Sequence, residues 1–168
     1  DVGNLTKSTY RGTGVSSAYH GYTAGGRSTP PPSAYDNDII EKFPFAADGN
    51  SADVGDLVGE NDAGGSNGTM NAEGGYINGG TEPGGNVDTI QKFPFATDAN
   101  AYRVGNLLNA VFDTTGSSST SHAYVAAASP ASYYQIIQKY GFISEGNATD
   151  VGDLTQGRWS ASGCGSTE

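Results

Sequence analysis

The sequence predicts an all-β fold, built from units of four short strands that repeat about every 50 residues. One eight-residue phrase, Ile-Ile-Glu-Lys-Phe-Pro-Phe-Ala at residues 39–46, returns in modified form at 89–96 and 136–143. Gly, β-branched and aromatic residues dominate the recurring segments, and none of them keeps a 3.6-residue apolar period beyond two turns. We therefore expect short strands and tight turns, and no helix.

Each unit contains a strand of small residues followed by an aromatic strand. The small-residue strand occupies residues 20–26, 74–80 and 122–128, with a Tyr at its third position. The aromatic strand is the eight-residue phrase. There Phe43 and Phe45 share one face, whereas Ile40 and Lys42 share the other. Pro44 cannot donate a ladder hydrogen bond, so we expect it at a strand end, a bulge or an unpaired edge.

A Val-Gly-x-Leu segment and a weaker strand complete the unit. The valines of this segment lie at positions 2, 54, 104 and 151, with spacings of 52, 50 and 47 residues. Residues 108–122 align without a gap on residues 6–20, which places Gly116 on Gly14. The same alignment places Gly163 on Gly14. Each Val-Gly-x-Leu segment is therefore followed by the first strand of the next unit.

The repeats suggest boundaries along the chain. Residues 1–18 are the end of one repeat and the first strand of the next, and residues 19–57 are the rest of the first unit. The second unit covers 58–107, the third covers 108–154, and residues 155–168 are the first strand of a further repeat. Because the chain begins inside a unit, we expect a processed product or a fragment of something longer.

Composition excludes several classes of function. A net charge of −10, with eight Lys and Arg in 168 residues, argues against a nucleic-acid partner. No apolar run is long enough for membrane insertion. The single Cys164 excludes an internal disulfide, and its alignment with Val15 predicts a small buried apolar residue. The Asn-x-Ser/Thr sequons at Asn4, Asn67 and Asn147 are interpreted as turn residues.

The four-strand unit, the Tyr-x-x-Gly-Gly strand and the aromatic third strand resemble the Kelch repeat, in which each repeat is one blade of a β-propeller. Gly25-Gly26 and Gly79-Gly80 match the family's Gly pair, whereas Ala127-Ala128 departs from it, and the usual Kelch Trp is missing. The Lys-Phe-Pro-Phe-Ala phrase, combined with Val-Gly-x-Leu, is similar to Kelch-like repeats in structural and tail-associated proteins of aquatic tailed bacteriophages. That resemblance covers essentially the whole chain. It implies a propeller segment of about three blades.

The same resemblance implies a non-enzymatic structural or adhesive protein, in a virion or on an extracellular surface such as a tail fibre or host-attachment appendage. Three blades cannot close a ring, because propellers have about four to eight. We therefore expect a longer propeller or head-to-tail self-association, for example two copies in one six-bladed ring. Other virion or appendage proteins are the alternative partners.

Carbohydrate binding, as in a lectin that recognises a host, is the alternative function. The loops at 28–38, 81–88 and 129–135 vary while the strands persist, and such loops often bind ligands. Tyr35, Tyr133 and Tyr134 lie in them and are the candidate glycan-binding residues. Aromatic rings of this kind stack on sugars, although they could equally cover the apolar rim between blades.

No catalytic residue, cofactor or metal is predicted. His20 and His122 occupy one repeat position without a Gly-x-Ser-x-Gly elbow, so a structural hydrogen-bonding role is expected rather than a catalytic triad. The radical copper chemistry of some Kelch propellers is disfavoured because both His are repeat-equivalent and the ring is incomplete.

Two repeated polar features remain. Asp48, Asn50 and Asp53 have some character of a Ca²⁺ loop, but Arg103 replaces a ligand in the second copy, so we interpret residues 48–53 as a hairpin loop whose Asp and Asn bond their own backbone. Lysines recur in the aromatic strand, at Lys42, Lys92 and Lys139. We expect them to form ion pairs with a nearby carboxylate, such as Asp56 or Asp153.

Overall fold

The chain is all-β, as the sequence predicts. A computed structural model describes residues 1–28, 37–59, 67–129, 135–158 and 160–163, and within these ranges it contains strands and turns but no helix. Among the described residues, twelve strands form three four-stranded antiparallel sheets, and two further short strands pair with each other. No helix of the described residues could cross a membrane.

Each sheet is a meander in which strands that follow each other in the chain are neighbours. Sheet 1 contains β2 (Thr13–Ser16), β3 (His20–Ala24), β5 (Ile39–Pro44) and β6 (Ala52–Asp56). Sheet 2 contains β7 (Asn67–Met70), β8 (Gly74–Glu82), β9 (Gly85–Pro94) and β10 (Tyr102–Asn106). Sheet 3 contains β11 (Thr115–Ser118), β12 (His122–Ala126), β13 (Ile136–Gly141) and β14 (Thr149–Asp153). The short pair is β1 (Thr9–Tyr10) with β4 (Arg27–Ser28).

The aromatic strand is the third strand of each sheet and has the predicted alternation. In sheet 2, Phe93 packs with the apolar residues of sheet 1, whereas Ile90 packs with those of sheet 3. We call the side of a sheet that is directed at the preceding sheet its incoming face, and the opposite side its outgoing face. Pro44 and Pro94 are the last residues of β5 and β9, which confirms the expected strand-end position.

A bulge lies at the Val of each Val-Gly-x-Leu segment. In sheet 1, Glu41 pairs with Asp53 and Ile40 pairs with Gly55, so Val54 is the extra residue. The register shifts at the equivalent place in sheets 2 and 3. Because a bulge bends a strand and increases its twist, it turns the following residues away from their own sheet.

The first strands of the three sheets lie side by side, with β7 between β2 and β11. A Cβ on Gly68 of β7 would lie 2.6 Å from the carbonyl O of Gly14 in β2. Gly163 has the same relation to β11, because its Cβ would overlap the carbonyl O of Gly116. Gly163 thus occupies the position of a further first strand beside sheet 3.

The structure departs from the sequence interpretation in the second variable loop. Residues 81–88 were expected as a loop, but Thr81 and Glu82 extend β8 and pair with Asn86 and Gly85 of β9. Pro83-Gly84 forms the two-residue turn between them, so this segment continues the sheet.

The sixth residue of the small-residue segment has a left-handed backbone conformation in all three sheets. Gly25 and Gly79 have φ of 60° and 67°, and Ala127 has φ of 47°. An L-residue pays roughly 1–2 kcal/mol for this conformation. The third unit therefore keeps the backbone geometry without the glycine that favours it.

Candidate functional site: the junction between sheets and its two open faces

The sheets are joined by the hairpin loops between their third and fourth strands, at residues 48–51, 98–101 and 145–148, which we call the junction loops. Between sheets 1 and 2, the Asp56 N–H donates to Asn100 Oδ1 at 3.2 Å, and the Asp56 carbonyl accepts from the Ala101 N–H at 2.8 Å. The junction loop thus binds both backbone groups of one residue of the preceding sheet.

The second junction repeats this pair of bonds. The Asn106 N–H donates to Asn147 Oδ1 at 3.1 Å, and the Asn106 carbonyl accepts from the Ala148 N–H at 2.8 Å. Since the donor and acceptor on the bound residue are backbone atoms, Asp and Asn serve equally well at that position.

A glycine is required where the Val-Gly-x-Leu segment crosses the junction loop. A Cβ on Gly55 would lie 2.5 Å from the carbonyl O of Ala99, and a Cβ on Gly105 would overlap the carbonyl O of Gly146. The backbones approach too closely for a side chain. This contact explains why Gly recurs in the segment, which the sequence alone did not explain.

A buried glutamine adds a third bond at each junction. Gln91 Oε1 accepts from the Val58 N–H at 2.6 Å, and Gln138 Oε1 accepts from the Leu108 N–H at 2.8 Å. Both glutamines are buried, with 0% and 4% of their surface exposed. Each Gln binds the residue that follows the Leu of the preceding Val-Gly-x-Leu segment.

Lysines of the aromatic strand pair across the junction, and not with the predicted carboxylates. Lys42 Nζ lies 2.6 Å from Asp98, and Lys92 Nζ lies 2.9 Å from Glu145. The expectation of Asp56 or Asp153 as a partner is therefore wrong, because Lys42 and Lys92 extend from the outgoing face to the next junction loop. Burial lowers the pKa of Lys92, but its bond to Glu145 and its contact with Tyr76 outweigh this and raise the pKa above its ordinary value.

Two apolar cores fill the junctions. Tyr22 stacks on Phe95 at 4.9 Å between ring centroids in the first junction, and Tyr76 lies 4.9 Å from Phe142 in the second. The first core contains Val15, Tyr22, Ala24, Ile40, Leu57, Ile77, Phe93 and Ala101. The second contains Tyr76, Ile90, Leu107, Val111, Ala123, Val125, Ala128, Tyr140, Phe142 and Ala148.

A buried polar triad distinguishes the second junction from the first. The Tyr140 hydroxyl lies 2.8 Å from Thr69 Oγ1 and donates to Asn78 Oδ1 at 2.7 Å, while Asn78 Nδ2 donates to Thr69 Oγ1 at 3.1 Å. The strand registers place Val15, Ala24 and Phe93 at the corresponding positions of the first junction.

Residues 1–6 bind sheet 1 as a Val-Gly-x-Leu segment of a preceding unit would. The Asn4 N–H donates to Asn50 Oδ1 at 3.0 Å, and the Asn4 carbonyl accepts from the Ser51 N–H at 3.0 Å. The Thr6 N–H donates to Glu41 Oε1 at 2.5 Å, and Glu41 holds the strand position that a glutamine holds in the other two junctions. A Cβ on Gly3 would overlap the carbonyl O of Gly49. The polar contacts of the junction thus occur three times.

The outgoing face of sheet 3 lacks these contacts. Tyr124, Ile137 and Leu154 are partly exposed, whereas the corresponding residues of sheets 1 and 2 are at most 5% exposed. A Cβ built on Gly152 would meet nothing within 4 Å. Lys139 has no ion-pair partner among the described residues.

The incoming face of sheet 1 is also open beyond residues 1–6. Phe43 is partly exposed and Phe45 is 56% exposed, whereas Phe93 is 1% exposed. A cleft of 520 Å³ is lined by Phe43 and Phe45, by residues of the three first strands, and by Gly163. The outgoing face of sheet 3 and the incoming face of sheet 1 therefore each carry one half of a junction.

The predicted glycan-binding residues Tyr35, Tyr133 and Tyr134 lie outside the described residues, as does Cys164. His20 and His122 begin β3 and β12, where their backbone N–H groups bind Ser17 and Ser119 Oγ in the preceding turns. The His122 ring lies 2.8 Å from Ser121 Oγ. These are structural positions in the hairpins.

Of the residues considered for Ca²⁺, Asn50 serves the junction. Asn50 binds the backbone of Asn4, so the expectation that it bonds its own hairpin is wrong, whereas Asp53 does accept from the nearby Gly55 N–H at 3.2 Å. No group of three or more His, Cys, Asp or Glu side chains converges in the described ranges. The recurrence of Asn in all three loops was the sequence signal of a shared partner.

The comparisons with known proteins add no family or relative. No protein-family model matches the chain, and no curated protein matches it at a significant level.

Proposed function

We propose that the chain is a non-enzymatic structural repeat protein, a segment of a Kelch-like β-propeller that assembles through its sheet faces in a virion or an extracellular appendage. The observation that carries the proposal is the junction, whose polar contacts recur three times and which is left open on both outer sheets. Side-by-side first strands support the propeller arrangement, because the first strands of blades surround a common axis.

The chemistry of the described surface favours assembly over catalysis. Its recurring polar residues bind backbone groups of the neighbouring unit, and their charges are paired across junctions. Two of its exposed apolar residues, Phe45 and Val151, lie on the two faces where a further unit would pack. An exposed, incomplete interface of this kind promotes association.

The mass of the native particle tests this function. We expect multi-angle light scattering to give a concentration-dependent mass above the 17.2 kDa of one chain. A folded chain that stays at that mass up to millimolar concentration would contradict the assembly role.

Carbohydrate binding is a second candidate, favoured by exposed aromatic rings in and before sheet 1. Tyr19 is 76% exposed in the β2–β3 turn, and Tyr10 is 46% exposed. Exposed rings of this kind could stack on sugars, with Tyr133 and Tyr134 as further candidates. Glycan-array binding that disappears in a Tyr133→Ala/Tyr134→Ala variant, while particle mass is unchanged, would favour recognition by the loops.

A further inference from the structure

The Val-Gly-x-Leu segment of sheet 3 has a ready-made acceptor on sheet 1 of another copy. We propose that residues 150–155 of one copy bind the 48–51 junction loop and Glu41 of a second copy, in the place of that copy's own residues 1–6. The inference deepens the proposed assembly function, on which it rests, by naming the contact and the segment that competes for it.

The two segments are nearly identical. Residues 1–6 read Asp-Val-Gly-Asn-Leu-Thr, and residues 150–155 read Asp-Val-Gly-Asp-Leu-Thr. They differ only at Asn4 and Asp153, and the junction contacts at this position use backbone N–H and C=O. Residues 150–153 belong to β14, which is paired with β13, whereas residues 1–6 form no strand. The exchange therefore replaces an isolated segment with one that a sheet already holds in place.

Gly152 has a positive φ of 146°, which disfavours a side chain, but it lacks the close contact that the equivalent glycines make. The equivalent Gly3, Gly55 and Gly105 each meet a backbone carbonyl of a junction loop, but a Cβ on Gly152 would meet no atom within 4 Å. Docking on the 48–51 loop would place Gly152 against the carbonyl O of Gly49. The missing contact is thus the one that a second copy supplies.

The unpaired charges on the two faces are complementary. Lys42 pairs with Asp98 and Lys92 pairs with Glu145, each in the next junction loop. The third lysine of the aromatic strands is Lys139 on sheet 3, and the third acidic residue at the start of a junction loop is Asp48 on sheet 1. Neither has an ion-pair partner among the described residues. Docking would bring them together as the third pair.

The apolar positions also match. In the first junction, Ala24 on the outgoing face of sheet 1 and Phe93 on the incoming face of sheet 2 belong to one apolar core. In the second, Asn78 on the outgoing face of sheet 2 binds Tyr140 on the incoming face of sheet 3. Sheet 3 carries Ala126 at this outgoing position, and the Phe at the corresponding incoming position of sheet 1 is Phe43. The new junction would therefore match the first junction at the Ala–Phe pair, with Ser117 at the position of Val15.

The exchange must extend to the first strand. Gly163 already lies against Gly116 of its own chain, in the relation that Gly68 has to Gly14. Gly163 and Gly14 hold the same position in the repeat, so docking would bring Gly163 of one copy to the place of Gly14 in the next. The exchange would then release β2 together with residues 1–6 of the second copy, and the incoming segment would replace the pairing of β2 with β3.

Matched glycine substitutions in the full chain test the competition. Gly3→Ala places a Cβ against Gly49 and expels the chain's own segment, so we expect the dissociation constant for self-association to fall about tenfold. Gly152→Ala blocks the incoming segment and should raise it about tenfold. Gly85→Ala is the control, because its φ of 125° strains an alanine as that of Gly152 does, while its Cβ would meet nothing within 4 Å. Sedimentation equilibrium gives the constants, and thermal unfolding checks that each variant is folded.

Charge reversal gives an independent test that keeps all glycines. Lys139→Glu and Asp48→Lys should each weaken self-association about threefold, as exposed ion pairs are weak. An equimolar mixture of the two variants should recover the native dissociation constant. In each mixed junction a positive side chain meets a negative one, either the two substituted residues or the native Lys139 and Asp48. If Gly3→Ala fails to fold, this mixture decides the question alone.

The outcomes separate this docking from assembly in general. Association that none of the four substitutions changes would overturn the docking and leave the proposed assembly function standing. A native chain and a Gly3→Ala variant that are both folded and monomeric at millimolar concentration would overturn both.

Discussion

Replacing Tyr140 by Phe should destabilise the chain measurably, although it removes a single oxygen atom. Tyr140 is 3% exposed, and its hydroxyl lies within 2.8 Å of both Thr69 Oγ1 and Asn78 Oδ1. Without it, the buried Asn78 Oδ1 and Thr69 Oγ1 lose the hydrogen bonds that they make with the Tyr140 hydroxyl. Removing one partner from buried hydrogen bonds costs about 1–3 kcal/mol. For a chain of this size that corresponds to a fall in Tm of roughly 2–4 °C per kcal/mol.

The first junction supplies the matched control. A triple variant with Thr69→Val, Asn78→Ala and Tyr140→Phe reproduces Val15, Ala24 and Phe93 of that junction. Because it removes all three polar groups at once, we expect it to regain most of the stability that the single variant loses. Urea unfolding followed by circular dichroism gives both free energies. A single variant within about 0.5 kcal/mol of the native chain, or a triple variant less stable than the single one, would refute the reasoning.

Two further predictions concern pH and steric fit. Burial raises the pKa of Tyr140 above its ordinary value of about 10, so its contribution to stability is complete below pH 10 and is lost as pH rises toward its folded pKa. Tyr140→Phe should therefore reduce the alkaline fall in unfolding free energy by about 1.4 kcal/mol per pH unit, measured by urea titrations above pH 10, and an unchanged slope would contradict this. Gly105→Ala should lower the free energy of unfolding by about 1–3 kcal/mol, because its Cβ would overlap the Gly146 carbonyl. Gly84→Ala should be neutral in the same thermal-unfolding assay, because its Cβ would meet nothing. Equal effects of the two substitutions would contradict the close approach at Gly105.

Sequence patterns were sufficient to predict features that depend on residues near one another in the chain. The alternation of Phe43 and Lys42, the strand-end position of Pro44 and the four-strand unit follow from strand geometry alone. Periodicity of two fixes which residues share a face, whatever the neighbours are.

Features that depend on the next unit could not be predicted in the same way. Asn50 and Lys42 each had plausible local partners, but their observed partners are Asn4 and Asp98, 46 and 56 residues away. One unit read by itself offers only its own backbone and carboxylates. The sequence signal was that Asn and Lys recur in every unit although the residues beside them vary. This recurrence indicated a shared partner but did not identify it.

The buried triad of the second junction also fixes the order of the units. If the second and third units exchanged places, Tyr140 would face Ala24, and Asn78 would no longer meet a tyrosine hydroxyl. A gene duplication that copied only one of these units would create such a mismatch, unless Asn78 and Tyr140 were copied together. A longer array could therefore grow by duplication at its apolar junctions, whereas the Asn78–Tyr140 junction would have to be inherited as a block.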